Sequence, residues 1–151
     1  MLHLKILNGK EIKEIFEKIE EQWDAKIKLD YGFLLNTKNR VFIISREISK
    51  IDMSKLRLNS VGIYFCELDK RGLRLSIEGS QLVGPHAKKN VVELDDAETM
   101  KWFKGEDLQK ECKDCEGFVL MKHDRDFMGT GKYANGKILN FVGKTRRISV
   151  S

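Results

Sequence analysis

Cys112-Lys113-Asp114-Cys115 has the spacing of half a zinc site or of a redox pair, and is the first place in this sequence to search for chemistry. A structural zinc takes four ligands, however, and there is no second cysteine pair, so His86 and His123 would have to be recruited from afar. No βαβ pattern precedes the motif to suggest a thioredoxin-like fold. Gly129-Thr130-Gly131 opens like a nucleotide-binding loop, but the third glycine is missing and no helix follows to offer its N-terminus to a phosphate. These glycines read instead as positions where a strand bends or backbones approach closely. His3, His86 and His123 stand at no motif spacing from a serine or cysteine, so a nucleophilic triad is not indicated. Asp95 and Asp96 read as a helix start rather than an acid–base pair. The expectation is a chain without catalytic residues, cofactor or metal, that is, not an enzyme.

The remaining chemistry is cationic. From Gly117 to Ser151 the basic residues Lys122, Arg125, Lys132, Lys137, Lys144, Arg146 and Arg147 face only two acids, Asp124 and Asp126. The chain's 28 basic and 23 acidic residues therefore leave 21 of each before Gly117, and the whole net charge of +5 lies in the last segment. Such asymmetry suits a polyanion-binding module; a solvated face is the other reading. Lys144, Arg146 and Arg147 are the first candidates, because they follow the last apolar strand in an acid-free stretch, and no internal partner is expected to neutralise them. Either arginine can grip a phosphate in bidentate fashion. Lys132 and Lys137 flank Asn135-Gly136, one on each strand, and extend the same patch or serve solubility.

The elements that must position these residues follow from periodicity and turn chemistry. Asn8 caps a helix, with Glu11 reaching back, in which Ile12, Ile15, Phe16, Ile19 and Trp23 form one apolar stripe. Gly32 to Leu35 and Val41 to Ser45 read as a hairpin, and a helical turn is expected around Ile48, Ile51, Met53 and Leu56. Val61 to Leu68 and Leu73 to Ile77 form a second hairpin over Asp69-Lys70-Arg71-Gly72, with Gly72 free to take positive φ. Gly84 and Pro85, the chain's one proline, mark a boundary, giving domains 1–86 and 87–151. Beyond it come a short strand (Val91, Val92, Leu94) and a helix capped by Asp95 or Asp96, with Met100 and Phe103 inward and Gly105 as its stop. Strands follow at Phe118 to Lys122, Phe127 to Tyr133 and Lys137 to Val142, the last two joined by Asn135-Gly136, and Arg146 to Val150 could close the sheet. Phe118, Phe127 and Phe141 read as core, Trp23 and Trp102 as packing residues, and Asn140 as a structural residue satisfying loop backbone. No stretch approaches the roughly 20 apolar residues that span a bilayer, and Met1 to Gly9 lacks the pattern of a secretory signal. The expected compartment is the cytoplasm, or the nucleolus for a eukaryotic source. With three cysteines and no export signal, a disulfide framework is not expected.

The order Gly117-Phe118-Val119-Leu120, Phe127-Met128-Gly129-Thr130-Gly131-Lys132 and Gly136 to Arg147 resembles a PUA domain, the small β-barrel RNA-binding module of pseudouridine synthases and archaeosine transglycosylases. Its ending, with Asn140, Lys144 and Arg146-Arg147, is similar to the PUA-like domain that ends the Sun-type rRNA cytosine-C5 methyltransferases. Arg40 to Ser45, Ser60-Val61-Gly62, Arg74 to Ile77, Leu82 to Lys88 and Glu106-Asp107-Leu108 resemble, in order, the Nip-seven family of ribosome-biogenesis factors of archaea and eukaryotes. That resemblance covers nearly the whole chain. It implies an α+β fold in which an N-terminal α/β pre-PUA domain packs on a C-terminal PUA-like β-barrel, with no catalytic residues. It further implies RNA binding by the PUA face in rRNA processing and protein contacts by the first domain. The methyltransferase likeness implies the alternative, an accessory module beside a separate tRNA or rRNA modification enzyme. No methyltransferase core or glycine-rich S-adenosylmethionine loop is present, so methylation by this chain alone is not expected. A protein-interaction adaptor with a basic end is the reading from a different class. On RNA, PUA-like sheets meet phosphates, 2′-hydroxyls and unstacked bases. Tyr133, at the hairpin edge, is then the candidate for stacking on a base.

Overall fold

The computed structural model describes residues 4–45 and 62–147, with Thr145 described in its backbone only. In chain order the elements are β1 (Lys5–Ile6), α1 (Gly9–Trp23), β2 (Gly32–Leu35), β3 (Arg40–Ile44), β4 (Ile63–Asp69), β5 (Gly72–Leu75) and α2 (Ile77–Val83). A 3-10 turn (Gly84–His86) leads to β6 (Val91–Glu93), α3 (Asp96–Phe103), β7 (Leu108–Gln109), β8 (Gly117–His123), β9 (Asp126–Ala134), β10 (Lys137–Leu139) and a second 3-10 turn (Lys144–Arg146). The strands make two five-stranded sheets, ordered β1-β2-β3-β4-β5 and β6-β8-β9-β10-β7. The first is antiparallel throughout, and in the second only β6 runs parallel to its neighbour β8. The architecture is mixed α/β.

Helix α1 starts where the sequence says it should. The Asn8 side chain accepts from the Glu11 N–H at 2.9 Å while Glu11 accepts from the Asn8 N–H at 3.1 Å, a complete capping box. Ile15, Ile19 and Trp23 are buried at helical spacing, and Ile12 and Phe16 flank them. Removing each such side chain from water contributes about 1.5–3 kcal/mol. Gly72 takes φ +140° at the β4–β5 turn, and Asn135 and Gly136, at φ 51° and 77°, make the primed turn between β9 and β10.

One hydrophobic cluster spans both sheets: Ile15, Ile19, Trp23, Phe33, Phe65, Leu73 and Val83 pack with Phe118, Leu120 and Phe127. A second, containing Val92, Leu94, Trp102, Val119, Met121, Met128 and Ile138, fills the other side of the second sheet. Strand β8 lies between the two clusters. Phe118 and Leu120 enter the first and Val119 and Met121 the second, which is why this run shows no polar alternation. Polar groups stitch the same seam: Gly129 N–H donates to the Ser80 hydroxyl at 2.8 Å, and the Thr130 hydroxyl donates to the Leu75 carbonyl at 3.0 Å. The C-terminal carbonyls of α1 are also claimed across it, the Gln22 carbonyl by Asn90 Nδ2 at 2.6 Å and the Trp23 carbonyl by Lys88 N–H at 2.9 Å. Gly84 sits so close to the Phe127 ring that a Cβ there would stand 2.3 Å from it.

Several local expectations are corrected. The strand expected to reach Ile77 stops at Leu75, because the Ser76 hydroxyl accepts from Gly79 N–H at 2.9 Å and so caps α2, a helix the sequence reading did not contain. Met100 is exposed rather than inward; Trp102, two residues on and thus about 200° around the helix, is the fully buried residue, and its Nε1 donates to the Met128 carbonyl at 2.7 Å. Strand β10 ends at Leu139 instead of Val142, where the Asn140 side chain takes over the backbone bonding. Cys112 and Cys115 are joined by a disulfide, against the expectation from cysteine count; a tight turn brings their Cα atoms to 5.3 Å, within bridging reach. Arg146 lies in a 3-10 turn rather than a closing strand, while residues 148–151 and the expected helical turn near Ile48 to Leu56 lie outside the described residues.

Candidate nucleic-acid interface

The six residues singled out by the sequence lie in two places. Lys132, Tyr133 and Lys137 belong to the β9–β10 hairpin. Lys132 pairs in register with Phe118 and Leu139 and shares their side of the sheet, so the neighbouring Tyr133 points to the other. There Tyr133 packs against the second core cluster, its hydroxyl donating to Glu111 at 3.1 Å and accepting from the Cys112 N–H at 3.3 Å. Lys137 stands 3.6 Å from Asp107, the residue just before the edge strand β7.

Lys144, Arg146 and Arg147 are grouped on the last 3-10 turn. Lys144 is exposed and has no ion-pair partner among the described residues. Arg147 lies over Gly105, whose missing side chain makes room for the guanidinium, and its Nε donates to the Val142 carbonyl at 3.0 Å. Arg146 reaches the first sheet's side of the molecule, where its Nη1 meets Glu78 of α2 at 2.6 Å. The turn is held in place by Asn140. Its Nδ2 donates to the carbonyls of Trp102 and Glu106, both at 2.8 Å, and its Oδ1 accepts from Val142 N–H at 2.7 Å. The structural role expected of Asn140 is therefore what the structure shows.

Arg146 forms part of a cleft of about 400 Å³ between the two sheets, whose walls include Arg40, Tyr64, Arg74, Glu78, Thr130 and Phe141. Its basic wall comes from sheet register. Arg40, Glu67 and Arg74 are consecutive cross-strand partners on β3, β4 and β5, so a single carboxylate lies between two guanidiniums. Arg74 Nη2 is 2.8 Å from Glu67 and Arg40 Nε is 3.5 Å from it. Each arginine also covers a ring: Arg74 lies 4.4 Å from the centre of Phe141, and Arg40 5.6 Å from that of Tyr64. Burial pushes the Tyr64 hydroxyl up, with the Arg74 charge opposing. Three arginines against Glu67 and Glu78 leave the cleft one positive charge in excess.

Arg40, Arg74, Tyr64 and Phe141 were absent from the sequence-based candidates, and Phe141 was read as core. A signal existed: Arg74 interrupts the apolar run Leu73-Arg74-Leu75, and the two-residue turn before Gly72 sets Glu67 opposite it. Neither Phe141 nor Arg146 could be placed on the same wall without the long-range packing. Among the described residues, no group of three or more His, Cys, Asp and Glu is arranged to hold a metal, and no helix is long and apolar enough to cross a membrane.

Comparison with known proteins bears on the same segments. The chain is 25% identical over 134 residues to ribosomal RNA small subunit methyltransferase F of Aeromonas salmonicida, covering 89% of this chain and 27% of that protein. It is 24% identical over 131 residues to the protein of that name from Vibrio cholerae, covering 87% and 27%, and 25% identical over 138 residues to that from Vibrio campbellii, covering 88% and 28%. The chain thus spans about a quarter of the length of these curated relatives. Residues 89–148, which carry the whole second sheet and the Lys144–Arg146 turn, match the family model for the methyltransferase RsmF PUA domain, so this part of the chain is similar to that domain.

Proposed function

We propose that the chain is an RNA-binding module that holds ribosomal RNA for a methyltransferase acting beside it, without performing the chemistry itself. The observation that carries this reading is the convergence of three arginines and two aromatic rings in one cleft beside a segment similar to the methyltransferase RsmF PUA domain. Cationic side chains supply phosphate affinity, and rings and guanidinium planes supply stacking surface for unpaired bases. The two units, 1–86 and 87–151, act as one body because their core and their cleft are shared.

Alignment with methyltransferase F extends over 89% of the chain and favours this reading over the stand-alone biogenesis factor implied by the Nip-seven resemblance. Lys132, Lys144 and Arg147 supply outlying phosphate contacts, while Tyr133 and Lys137, already engaged with Glu111 and Asp107, are lesser contributors. If about three to five phosphates are neutralised, the logarithm of affinity for single-stranded RNA falls with the logarithm of salt at a slope of about −2 to −3.5. Fluorescence anisotropy with a labelled single-stranded RNA across a salt series measures it. No binding at low salt, or a slope near zero, overturns the reading.

A further inference from the structure

Resting on the reading of the chain as an RNA-binding module, we infer that the cleft between the sheets is a receptor for one unstacked nucleotide, its base lying against Tyr64 and Phe141 and its phosphate on Arg40, Arg74 and Arg146. Size is the first argument. At about 400 Å³ the cleft is at the lower end of the roughly 300–1,000 Å³ of ligand pockets, room for a nucleotide but not for a helix. A concave site of this kind also cannot engage the shallow minor groove that duplex RNA presents, whereas a base turned out of its stack can enter.

Charge is the second argument. The one positive charge left by three arginines and two glutamates matches the single negative charge of one phosphodiester. Both acids are positioned as placeholders. Glu67 is shared by two guanidiniums, so either can turn a fork toward a phosphate without leaving the carboxylate unpaired. Glu78, on α2, holds Arg146 at 2.6 Å at the rim of the cleft.

Chemistry of the walls is the third. Arg74 over Phe141 and Arg40 over Tyr64 are stacked platforms, and planar guanidinium and aromatic faces both receive bases without regard to sequence. Among the described residues the Tyr64 hydroxyl neither donates nor accepts a hydrogen bond, leaving a donor for a base edge or a 2′-hydroxyl. Selectivity for single-stranded over duplex RNA follows.

The test uses the whole chain and a short single-stranded RNA bearing one 4-thiouridine, with the same RNA annealed to its complement as competitor. Ultraviolet crosslinking and peptide mapping should place the adduct on Tyr64 or Phe141, and the duplex should compete poorly. Tyr64→Leu and Arg74→Ala should each weaken binding of the single strand about tenfold. Tyr64→Phe, which keeps the ring, should retain most of the affinity while circular dichroism shows an unchanged fold. If RNA binds but crosslinks map to the β9–β10 hairpin or to Lys144, with Tyr64→Leu and Arg74→Ala at parental affinity, the nucleotide receptor is overturned and the RNA-binding reading stands. If neither single strand nor duplex binds, the underlying reading is overturned as well.

Discussion

Ser80→Ala removes one oxygen from the middle of the seam, and its cost can be worked from the geometry. Ser80 is fully buried on α2; its hydroxyl donates to the Ile77 carbonyl at 2.6 Å and accepts from the Gly129 N–H at 2.8 Å. Gly129 has no substitute partner, because the β8–β9 pairing shifts register between Leu120 and Lys122 and passes it by. Alanine therefore strands a buried N–H, which costs about 1–3 kcal/mol, whereas the Ile77 carbonyl lies within the helix and loses less. For a chain of this size that is a fall in melting temperature of about 2–12 °C. Urea unfolding followed by far-ultraviolet circular dichroism reads it, with exposed Gln81→Ala on the same helix as a control expected within about 0.5 kcal/mol of the parent. A Ser80→Ala chain as stable as the Gln81→Ala control would mean that the seam is held by its apolar faces alone.

Other outcomes follow from the same structure. Asn140→Ala removes three side-chain hydrogen bonds around the last turn and should cost about 1.5–4 kcal/mol in denaturant unfolding. Gly79→Ala places a Cβ 2.1 Å from the Phe65 carbonyl oxygen, and the expected result in expression and scanning calorimetry is a chain that no longer folds cooperatively. His123, hydrogen-bonded to Asp96 at 2.6 Å, has its pKa raised by that bond, so the stabilisation it gives is complete below about pH 6.5 and fades as pH rises through the folded value. Melting curves from pH 5 to 9 should show that fall in the parent and not in Asp96→Asn. Lys144→Glu combined with Arg146→Glu reverses two cationic side chains, one of them paired with Glu78, and should abolish most RNA binding in anisotropy titrations at low salt, with circular dichroism unchanged.

What was legible in the sequence was local. Asn8 with Glu11 and Asn135-Gly136 work within four residues and form as read, and of the two caps the sequence left open, Asp95 is the one that accepts from the Glu98 N–H. Helix α2 escaped because it is only seven residues long and its start depends on Ser76 bonding backward to the Tyr64 carbonyl as well as forward. The cleft was hidden for a stronger reason: its arginines come from positions 40, 74 and 146, and nothing local brings the last beside the others. The charge count after Gly117 could not show that Lys137 and Arg146 meet Asp107 and Glu78, acids from earlier segments.

The placement of β8 between two hydrophobic clusters carries a consequence for inheritance. A recombination event that parted the gene near codon 86 would hand one descendant a sheet whose Phe118, Leu120 and Phe127 face solvent, and the other an α1 with its final carbonyls unclaimed. Both products would tend to aggregate, so selection favours transmission of the two halves as a single cassette. Domain shuffling in this lineage is expected to break outside the pair rather than through it.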